Sequence, residues 1–401
     1  MTLKTTTGSW NYPTRILFGP GRIRELPDNC RKFGISRPLL ITDAGLKDHA
    51  IVQSTVALCR AAGLETAVFA NIKPNPTEKN IIDGVKAYKD GKHDGVIAFG
   101  GGSGLDAAKA IALMVGQNRP LFDFVDEGDN YLRVNEAGMA PVIAVPTTAG
   151  TGSEVGRCSV VVNETTHEKK LIFHPKILPA LVIADPELTT GLPPAITAAT
   201  GIDAFVHCFE AYCAPGFHPM ADGIALEGMR LVAEYLPRAY KDGKDIEARS
   251  AMLVAATMGA GAFQKGLGGV HALAHPLGGT YDKPHGLLNA VLLPYVVLRN
   301  RSALGEKMDH LSRTLHLAGK GYNAAGFDAV LKWILDFRKQ LGIPNTLAEI
   351  GIPSDRIQDI GKMAVVDPSA GGNPIPLTAA DYAEIFSKAL KGDLSEMKAA
   401  A

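Results

Sequence analysis

The sequence predicts an N-terminal α/β domain built on a parallel sheet, followed by an all-α C-terminal domain. The chain has 401 residues, which favours two domains because one hydrophobic core rarely organises so many residues. Up to about residue 186, short apolar runs alternate with helix-like segments, as in parallel strands joined by crossover helices. Beyond Asp185 and Pro186 the apolar residues recur with the helical period. We therefore expect domains at 1–186 and 187–401.

The strands of the first domain are predicted from continuous apolar runs, which are typical of strands covered on both faces. They are expected at 38–42, 67–70, 95–99, 141–145 and 181–184. The second domain is expected to be nearly all helix, since its apolar residues repeat with a period of about 3.6. The clearest such segments are 198–213, 225–240, 248–264, 329–341 and 382–391. Pro186, Pro193 and Pro194 interrupt both patterns and place the domain boundary near residues 186–195.

Charge and cysteine usage exclude several classes of protein. Lys and Arg together number 41, as do Asp and Glu, and no long basic run contains aromatic residues, so nucleic-acid binding is not expected. No apolar run reaches transmembrane length, and Met1 to Trp10 lack the pattern of a signal peptide. The cysteines are odd in number, scattered and without a CxxC pair, as is typical of reduced cytoplasmic thiols. They are Cys30, Cys59, Cys158, Cys208 and Cys213. We expect a cytoplasmic protein with small-molecule partners.

The glycine-rich segment 100–104 follows a predicted strand and opens the apolar helix predicted at 105–115. Amide groups at such a helix N-terminus bind phosphate well, and glycines let a pyrophosphate approach the backbone. The spacing differs from the GxGxxG fingerprint, because Leu105 stands where the last glycine would be. A tight strand-to-helix turn without a ligand is the alternative interpretation.

The segment 146–154 also follows a predicted strand and offers hydroxyl groups and flexible backbone. Two such loops at the carboxyl edge of a parallel sheet favour an extended polyphosphate ligand, although a polar surface loop is the alternative here. Asp43, at the end of another strand, can accept hydrogen bonds from an adenosine ribose and would repel a 2′-phosphate, which favours NAD over NADP. It is equally suited to cap the next helix. Asp106 can stabilise its helix dipole or touch the cofactor.

Two histidine-containing clusters indicate a metal site. Asp203 and His207 are four residues apart in a predicted helix, which places them on one face. His271 and His275 share a helix face in the same way, but His285 would lie about 21 Å from His271 in an unbroken helix. Helix breakers make an unbroken helix implausible and can let the chain turn back. They are Pro276, Gly278, Gly279 and Pro284. From the residues alone, a surface contact at the first pair and separately hydrogen-bonded core histidines at the second cluster stay open.

These segments resemble the motifs of iron-containing, or group III, alcohol dehydrogenases. The match runs in order through most of the chain. It comprises YPTRILFGPG at 12–21, GGGSGLDAAK at 100–109, PTTAGTGSE at 146–154, GIDAFVH at 201–207 and GLGGVHALAHPLGGTYDKPHG at 266–286. The resemblance implies a dehydroquinate-synthase-like fold and an NAD-dependent, metal-dependent alcohol dehydrogenase or aldehyde reductase. Such an enzyme transfers a hydride between a small alcohol and the nicotinamide.

The resemblance also assigns roles to residues. The implied metal ligands are Asp203, His207, His271 and His285. The implied cofactor contacts are Asp43, Gly101, Gly102, Ser103, Asp106, Thr147, Thr148 and Lys170. His275 is left to line the site near the nicotinamide, where it is the candidate for proton transfer. The metal is expected to be Fe²⁺, with Zn²⁺ possible because both suit one carboxylate and three imidazoles. We also expect a homodimer or a higher homo-oligomer.

Two other functions fit parts of the sequence. A lyase or cyclase of the dehydroquinate synthase type would share the fold and act on a phosphorylated sugar acid, but it should want several basic residues, whereas residues 271–294 are largely apolar. A non-enzymatic metal-binding protein would use the glycine loops only as turns. Phe263 and Met258 can line a substrate pocket, although an apolar helix stripe is more often core.

Overall fold

The computed structural model describes residues 11–12, 14–166, 168–318 and 326–395. These described residues separate into two compact units, which fall within Pro13–Gly191 and within Leu192–Ala401 together with Met1–Tyr12. We call them the α/β unit and the helical unit. The expectation that residues 1–10 do not form a signal peptide falls outside the described residues.

The α/β unit is built on a six-stranded sheet whose hydrogen-bonded neighbours are all parallel. In spatial order the strands are β1, β8, β5, β4, β2 and β3. Their bounds are β1 Ile16–Phe18, β2 Pro38–Asp43, β3 Ala67–Ile72, β4 Gly95–Gly100, β5 Val142–Pro146 and β8 Leu181–Ala184. The helices between them are α1 Leu26–Lys32, α2 Ala50–Ala61, α3 Glu78–Asp90 and α4 Gly102–Met114. The predicted α/β architecture is confirmed.

The central strands are buried along their whole length, which explains their apolar sequences. Every residue of β4, β5 and β8 is buried, whereas the edge strands β1 and β3 keep exposed positions. Strands covered by helices on both faces require such continuous apolar runs. The five predicted strands agree with β2, β3, β4, β5 and β8 to within two residues at each end.

The sequence interpretation missed strand β1 and a hairpin outside the main sheet. The hairpin pairs β6, Cys158–Val162, with β7, Lys169–Phe173, in antiparallel register. Strand β1 has only three residues, and β7 begins with two lysines, so neither forms the long apolar run that identified the central strands.

The strand order creates a switch point between the neighbouring strands β2 and β4. After β2 the chain continues to β3 on one side, whereas after β4 it continues to β5 on the other side. Ligands of open parallel sheets bind beyond the carboxyl ends of the strands at such a point. The loops that follow β2 and β4 are therefore where a nucleotide site is expected.

The helical unit contains no named strand among its described residues, which confirms the predicted all-α character of this half. Its helices are α5 Pro194–Cys213, α6 Pro219–Lys241, α7 Ile246–Ala262, α8 Gly269–Tyr281, α9 His285–Arg299, α10 Gly305–Thr314, α11 Phe327–Gln340, α12 Ile357–Val365 and α13 Ala379–Lys391. The five predicted segments coincide with α5, α6, α7, α11 and α13, and each of these helices begins two to six residues earlier than expected. No described helix is long and apolar enough to cross a membrane.

The turn that separates His271 from His285 differs from the expected one. Pro276, Gly278 and Gly279 all lie inside α8 and do not end it. The helix ends at Asp282, whose left-handed backbone (φ 50°, ψ 45°) terminates it, and α9 starts after Pro284. Of the four predicted breakers, only Pro284 therefore lies in the three-residue break at 282–284.

Helix α9 has a proline in its interior, and a buried arginine compensates for it. Pro294 has no N–H to donate to the carbonyl of Ala290 four residues earlier. Arg338, 2% exposed on α11, donates through Nη1 to the carbonyl oxygens of Ala290 at 3.4 Å and Val291 at 2.9 Å. The guanidinium supplies donors where the helix lacks one.

Candidate cation and dinucleotide sites

Helix α5 presents the first pair of the candidate cation site. Asp203 and His207 are both buried, and Nε2 of His207 lies 4.0 Å from Oδ1 of Asp203. Their four-residue separation places them on one helix face, as the sequence predicts. A chance surface contact does not describe this pair, because both side chains belong to the interior of the helical unit.

Two further histidines join this pair. Oδ1 of Asp203 lies 3.9 Å from Nε2 of His271 on α8 and 3.7 Å from Nε2 of His285, the first residue of α9. One potential ligand atom from each of the four side chains lies within 4.8 Å of all the others. The structure thus brings together the four residues that the family resemblance implies as ligands.

The donor set fits a divalent transition-metal cation. Three imidazoles and one carboxylate are ligands that Zn²⁺ and Fe²⁺ accept, and a buried cluster of this composition is costly without a partner of positive charge. The donor types do not separate the two metals. That these four side chains hold a cation remains a prediction.

Asn289, one turn after His285 on α9, lies against the same atoms. Its Nδ2 donates to Oδ1 of Asp203 at 2.6 Å and lies 3.2 Å from Nε2 of His271 and 3.1 Å from Nε2 of His285. The side chain is fully buried. Sequence reasoning did not select this asparagine, although its place four residues after His285 puts it on the same helix face.

Glu210 orients His271 from the opposite side of its ring. Its Oε2 lies 2.6 Å from Nδ1 of His271 and accepts the N–H of Gly268 at 2.9 Å, while Oε1 accepts the N–H of Val270 at 2.7 Å. Burial alone would lower the pKa of His271, but the hydrogen bond and the nearby carboxylates raise it. A proton on Nδ1 leaves Nε2 with the lone pair that a cation needs.

The sequence analysis also overlooked Glu210. Asp203, His207 and Glu210 are spaced at i, i+4 and i+7 on one helix, and this spacing is the pattern from which it could have been found.

His275 lies beside the four-residue group and has its own carboxylate. Its Nδ1 is 2.9 Å from Oδ2 of Asp367, and its ring stacks on that of His285 with centroids 5.3 Å apart. Burial alone would raise the pKa of Asp367, but His275 and the N–H and hydroxyl of Ser369 keep it below its ordinary value. A carboxylate on Nδ1 leaves Nε2 of His275 as a proton acceptor.

Phe263, one of the two apolar residues considered for a substrate pocket, contacts the cluster. Its ring centroid lies 5.2 Å from that of His207. Met258 instead has its Cβ near Gly228, where an added methyl group on the glycine would lie 3.5 Å away. Phe263 is thus beside a candidate ligand, and Met258 packs between helices.

The glycine-rich loop after β4 forms the start of α4 itself. Gly101 is the N-cap, and Gly102 is the first helical residue, three residues earlier than predicted. A Cβ on Gly102 would lie 2.6 Å from Cγ2 of Thr151, and one on Gly101 would lie 3.2 Å from Thr148. A side chain at Gly102 would therefore force Thr151 to shift, and the N–H groups of this segment belong to the helix N-terminus, where phosphate binds.

The loop after β5 packs directly against this glycine loop. The N–H of Thr147 donates to the carbonyl of Gly100 at 2.9 Å, and Thr147 is buried. The two segments selected from the sequence are thus neighbours at the carboxyl edge of the sheet. This arrangement fits a dinucleotide better than two unrelated turns, although the contacts of Thr147 and Thr148 with a cofactor remain a prediction.

Asp43 lies at the switch point. Its Oδ1 accepts the N–H groups of Gly45 at 2.9 Å and Leu46 at 3.2 Å, while Oδ2 faces Gly100. It does not cap the following helix, because that cap is His49. The helix-capping alternative for Asp43 is therefore wrong, and its carboxylate is held in a turn beside the glycine loop.

Asp106 is engaged within the protein. Its Oδ1 accepts the hydroxyl of Ser153 at 2.5 Å and lies 3.1 Å from Nζ of Lys109, and its Oδ2 accepts the N–H of Val160 at 3.1 Å. Lys109, 1% exposed, also donates to the carbonyls of Ser153 and Cys158. This pair joins α4 to the second loop and to strand β6, a structural role that the sequence did not suggest.

Ser103 and Lys170 are the two remaining candidate contacts, and the side chains of both are engaged within the protein. Ser103 donates its hydroxyl to the carbonyl of Pro74. Lys170 lies on strand β7, where its ammonium pairs with Glu168 at 3.0 Å and stays about one-third exposed. Their contacts with a cofactor stay predictions.

Both halves of the chain match models of one protein family. Residues 13–186 match the model described as iron-containing alcohol dehydrogenase. Residues 197–390 match the C-terminal model of the Fe-containing alcohol dehydrogenase family.

Individual relatives match along nearly their whole length. The 4-hydroxybutyrate dehydrogenase of Cupriavidus necator is 38% identical, with 94% of this chain and 99% of that protein covered. The NAD-dependent methanol dehydrogenase of Bacillus methanolicus is 35% identical, with 94% and 98% covered. The crystal structure of a 1,3-propanediol oxidoreductase is similar with a TM-score of 0.89 and 34% identity, over 96% of this chain and all of that one.

Proposed function

The chain belongs to the iron-containing alcohol dehydrogenase family, whose fold is dehydroquinate-synthase-like, and from this premise we propose its specific reaction. As an oxidoreductase acting on CH–OH groups, it transfers a hydride between a small primary or secondary alcohol and NAD, with a divalent cation bound. Residues 1–186 bind the dinucleotide, and residues 187–401 bind the cation and carry the catalytic site.

The cation ligands are Asp203, His207, His271 and His285. When bound, the cation supplies a Lewis acid that lowers the pKa of an alcohol hydroxyl or polarises an aldehyde carbonyl. Glu210 holds His271 so that Nε2 faces the other ligands, and Asn289 holds the carboxylate of Asp203. The family favours Fe²⁺, and Zn²⁺ suits the same four donors.

NAD is bound at the carboxyl edge of the sheet. When bound, NAD supplies the nicotinamide that accepts or returns the hydride. The N–H groups of Gly101, Gly102 and Ser103 at the start of α4 hold the pyrophosphate, and Thr147 and Thr148 extend this cradle. Asp43 accepts the ribose hydroxyls and disfavours NADP. Asp106 and Lys170 contact the cofactor from the helix and the hairpin.

His275 moves the proton that alcohol oxidation releases. Its Nδ1 is held by Asp367, so Nε2 is the atom that accepts and returns the proton. The partly exposed position of this ring, 12% at the side chain, leaves a route to solvent that the buried His271 lacks.

The observation that carries the proposal is the convergence of the four ligand atoms within 4.8 Å. A dehydroquinate-synthase-type lyase and a non-enzymatic metal-binding protein find no support among these relatives, which are named as two dehydrogenases and an oxidoreductase. The state of the thiols supports a cytoplasmic location. All five cysteines are free, and burial raises their pKa values to about 11 or 12.

A homodimer or larger homo-oligomer remains our expectation from the family.

The reaction is tested by supplying simple alcohols, diols and hydroxy acids with NAD or NADP to protein of defined metal content. NADH should accumulate with at least one small alcohol, and NADP should be the poorer cofactor. Turnover without NADH accumulation would indicate the lyase-type chemistry.

A variant separates the two sites. His271→Ala should lose the bound cation and turnover but retain NAD binding, because the cation ligands and the glycine loop lie in different units. Fluorescence titration with the nucleotide measures NAD binding. Full activity of this variant would refute the cation site.

A further inference from the structure

The side-chain amide of Asn289 lies close to three of the four candidate ligand atoms. Its Nδ2 lies 2.6 Å from Oδ1 of Asp203, 3.2 Å from Nε2 of His271 and 3.1 Å from Nε2 of His285. Because the side chain is fully buried, water cannot replace these contacts. One amide group therefore lies among three of the four atoms expected to face the cation.

Two neighbouring groups determine which end of the amide faces the ligands. When the carboxylate of Asp203 is ionised, it accepts hydrogen bonds and cannot donate one. In neutral His271, a proton on Nδ1 donated to Glu210 makes Nε2 an acceptor as well. Both therefore require the NH₂ end of Asn289 rather than its oxygen.

The oxygen of the amide provides independent support for this orientation. Oδ1 of Asn289 is buried and has no hydrogen-bond partner within the described residues. Leaving a buried acceptor unpaired is costly. The protein accepts this cost, which indicates that presenting the NH₂ group to the ligands outweighs it.

We propose that Asn289 is the positioning residue that assembles the cation site before the cation arrives, an inference that rests on the proposed cation-dependent function. The NH₂ group has the polarity of a cation: its two hydrogens lie among Oδ1 of Asp203 and the Nε2 atoms of His271 and His285, and they attract acceptor atoms toward one point. Without it, three electronegative atoms within 4.8 Å of one another would repel each other and separate. A preassembled site binds its cation more tightly because less ordering remains to be done.

Asn289 also retains a role when the cation is bound. A carboxylate oxygen has lone pairs for a hydrogen bond and for a cation at the same time. Asn289 can therefore keep Asp203, the only anionic ligand, in its orientation. Residues that orient metal ligands in this way typically contribute 10- to 100-fold to metal affinity.

The test uses the full-length protein stripped of metal and then titrated with Zn²⁺ against a chromophoric chelator. Asn289→Leu keeps the approximate volume but removes the donor, and we expect it to weaken Zn²⁺ binding roughly 10- to 100-fold. Asn300→Leu is the matched control, since Asn300 is a buried asparagine that follows the last residue of the same helix and hydrogen-bonds to Asn373 instead. It should bind Zn²⁺ like the wild type.

A second variant gives an opposite sign and covers the case that Asn289→Leu does not fold. Asn289→Asp keeps the shape but places a second carboxylate against Asp203. At pH 8 we expect the metal-free variant to unfold at a lower temperature than the wild type, and Zn²⁺ to raise its unfolding temperature by more than it raises that of the wild type. If Zn²⁺ raises the unfolding temperature of Asn289→Asp no more than that of the wild type, residue 289 does not act on the cation ligands and the inference is overturned.

The outcomes separate this inference from the proposed function. Equal Zn²⁺ affinity of Asn289→Leu and the wild type would overturn the positioning role while leaving the cation site intact. Failure of the wild type itself to bind Zn²⁺ or Fe²⁺ would instead refute the cation-dependent function.

Discussion

Glu210 combines two tasks in one buried carboxylate. It accepts the N–H groups of Gly268 and Val270 at the start of α8, and it fixes the ring of His271 on the same helix. Orphan amides at a helix start and an imidazole N–H are all donors, so one anionic acceptor satisfies them together. The start of the helix and the direction of a ligand are therefore set by the same side chain.

Replacing Glu210 with Gln should weaken the cation site without removing a ligand. Gln keeps the shape, but its NH₂ group faces donors, so we expect cation affinity to fall roughly 10- to 100-fold and stability to fall by about 1–3 kcal/mol. Metal titration and thermal unfolding measure the two effects. Glu234→Gln, at an exposed pair with Arg230, should change neither. Unchanged metal affinity in Glu210→Gln would show that His271 does not depend on it.

Asp94 gives the α/β unit a pH-dependent contribution to stability. Its carboxylate accepts the N–H groups of Ser36 and Arg37, at 3.0 and 2.7 Å, and so links the starts of the neighbouring strands β4 and β2. Burial alone would raise the pKa of Asp94, but these bonds and the Ser36 hydroxyl hold it below 3.8. A carboxyl group with a lowered pKa stabilises the fold above its ordinary pKa, and this contribution disappears as the pH falls through the lowered value.

Asp94→Asn should therefore destabilise the protein at neutral pH but not in acid. We expect a loss of about 1–3 kcal/mol at pH 7. The difference between variant and wild type should shrink as the pH falls from 5 to 3, because the wild-type carboxyl group becomes protonated. Unfolding temperatures across this range provide the measurement, and a difference independent of pH would contradict the assignment.

At the residue scale, the sequence identified groups with distinctive chemistry and missed those that support them. Asp203, His207, His271 and His285 were predicted to converge, and they do. Glu210 and Asn289 were not predicted, because a carboxylate or an amide in an apolar helix has many possible partners. Which partner it meets depends on the packing of α5, α8 and α9, and periodicity does not encode that packing.

The glycine loop shows how two elements restrict each other. A Cβ at Gly102 would overlap the methyl group of Thr151 at 2.6 Å, whereas one at Gly101 would meet Thr148 at 3.2 Å. Alanine is ordinarily preferred over glycine inside a helix. Any loss of stability on substitution at Gly102 therefore reports the contact between the loops rather than helix propensity.

Gly102→Ala should weaken NAD binding and destabilise the α/β unit, with an overpacking cost of about 1–3 kcal/mol. Gly101→Ala should have a smaller effect. Adding Thr151→Ala to Gly102→Ala should restore much of the loss, with Thr151→Ala alone as the control. Thermal unfolding and NAD titration measure both effects, and a double variant no better than Gly102→Ala would argue against the contact.

At the element scale, regular segments were predictable and their junctions were not. The buried strands were predicted from continuous apolar runs and the long helices from the helical period of apolar residues. The structure confirms five predicted strands and five predicted helices. The break between α8 and α9 was assigned to Pro276, Gly278, Gly279 and Pro284; of these only Pro284 lies in the break, and Asp282, which was not predicted, ends α8. Aspartate is among the non-glycine residues that adopt the left-handed region most often, but it is not as strong a sequence signal for a helix end as glycine or proline.

The whole molecule divides its chemistry between two units with different architectures. The glycine loops belong to the α/β unit, and all four candidate ligands belong to the helical unit. Architecture and family were predicted from the change of period and from the motifs, and both are confirmed. The substrate was not predictable, since no pattern in the sequence selects one small alcohol over another.

Removing the cation should lower the stability of the helical unit. A ligand present at 1,000 times its dissociation constant stabilises the folded state by about 4 kcal/mol, which in a unit of this size corresponds to roughly 8–16 °C. Calorimetry with Zn²⁺ and with excess chelator should reveal this shift. Asp203→Ala should abolish it, and a similar shift in that variant would locate the cation elsewhere.

The exchange between Pro294 and Arg338 makes the order of mutations matter. If Pro294 changed first to a residue with an N–H, the carbonyl of Ala290 would regain a donor and the arginine would still hold Val291. If Arg338 changed first, the carbonyl of Ala290 would lose its donor while the proline still blocked the helical bond, and the carbonyl of Val291 would lose its second donor. Evolution can therefore replace Pro294 and then Arg338 more easily than Arg338 and then Pro294. As long as Pro294 is present, Arg338 is constrained by the helix that carries His285 and Asn289.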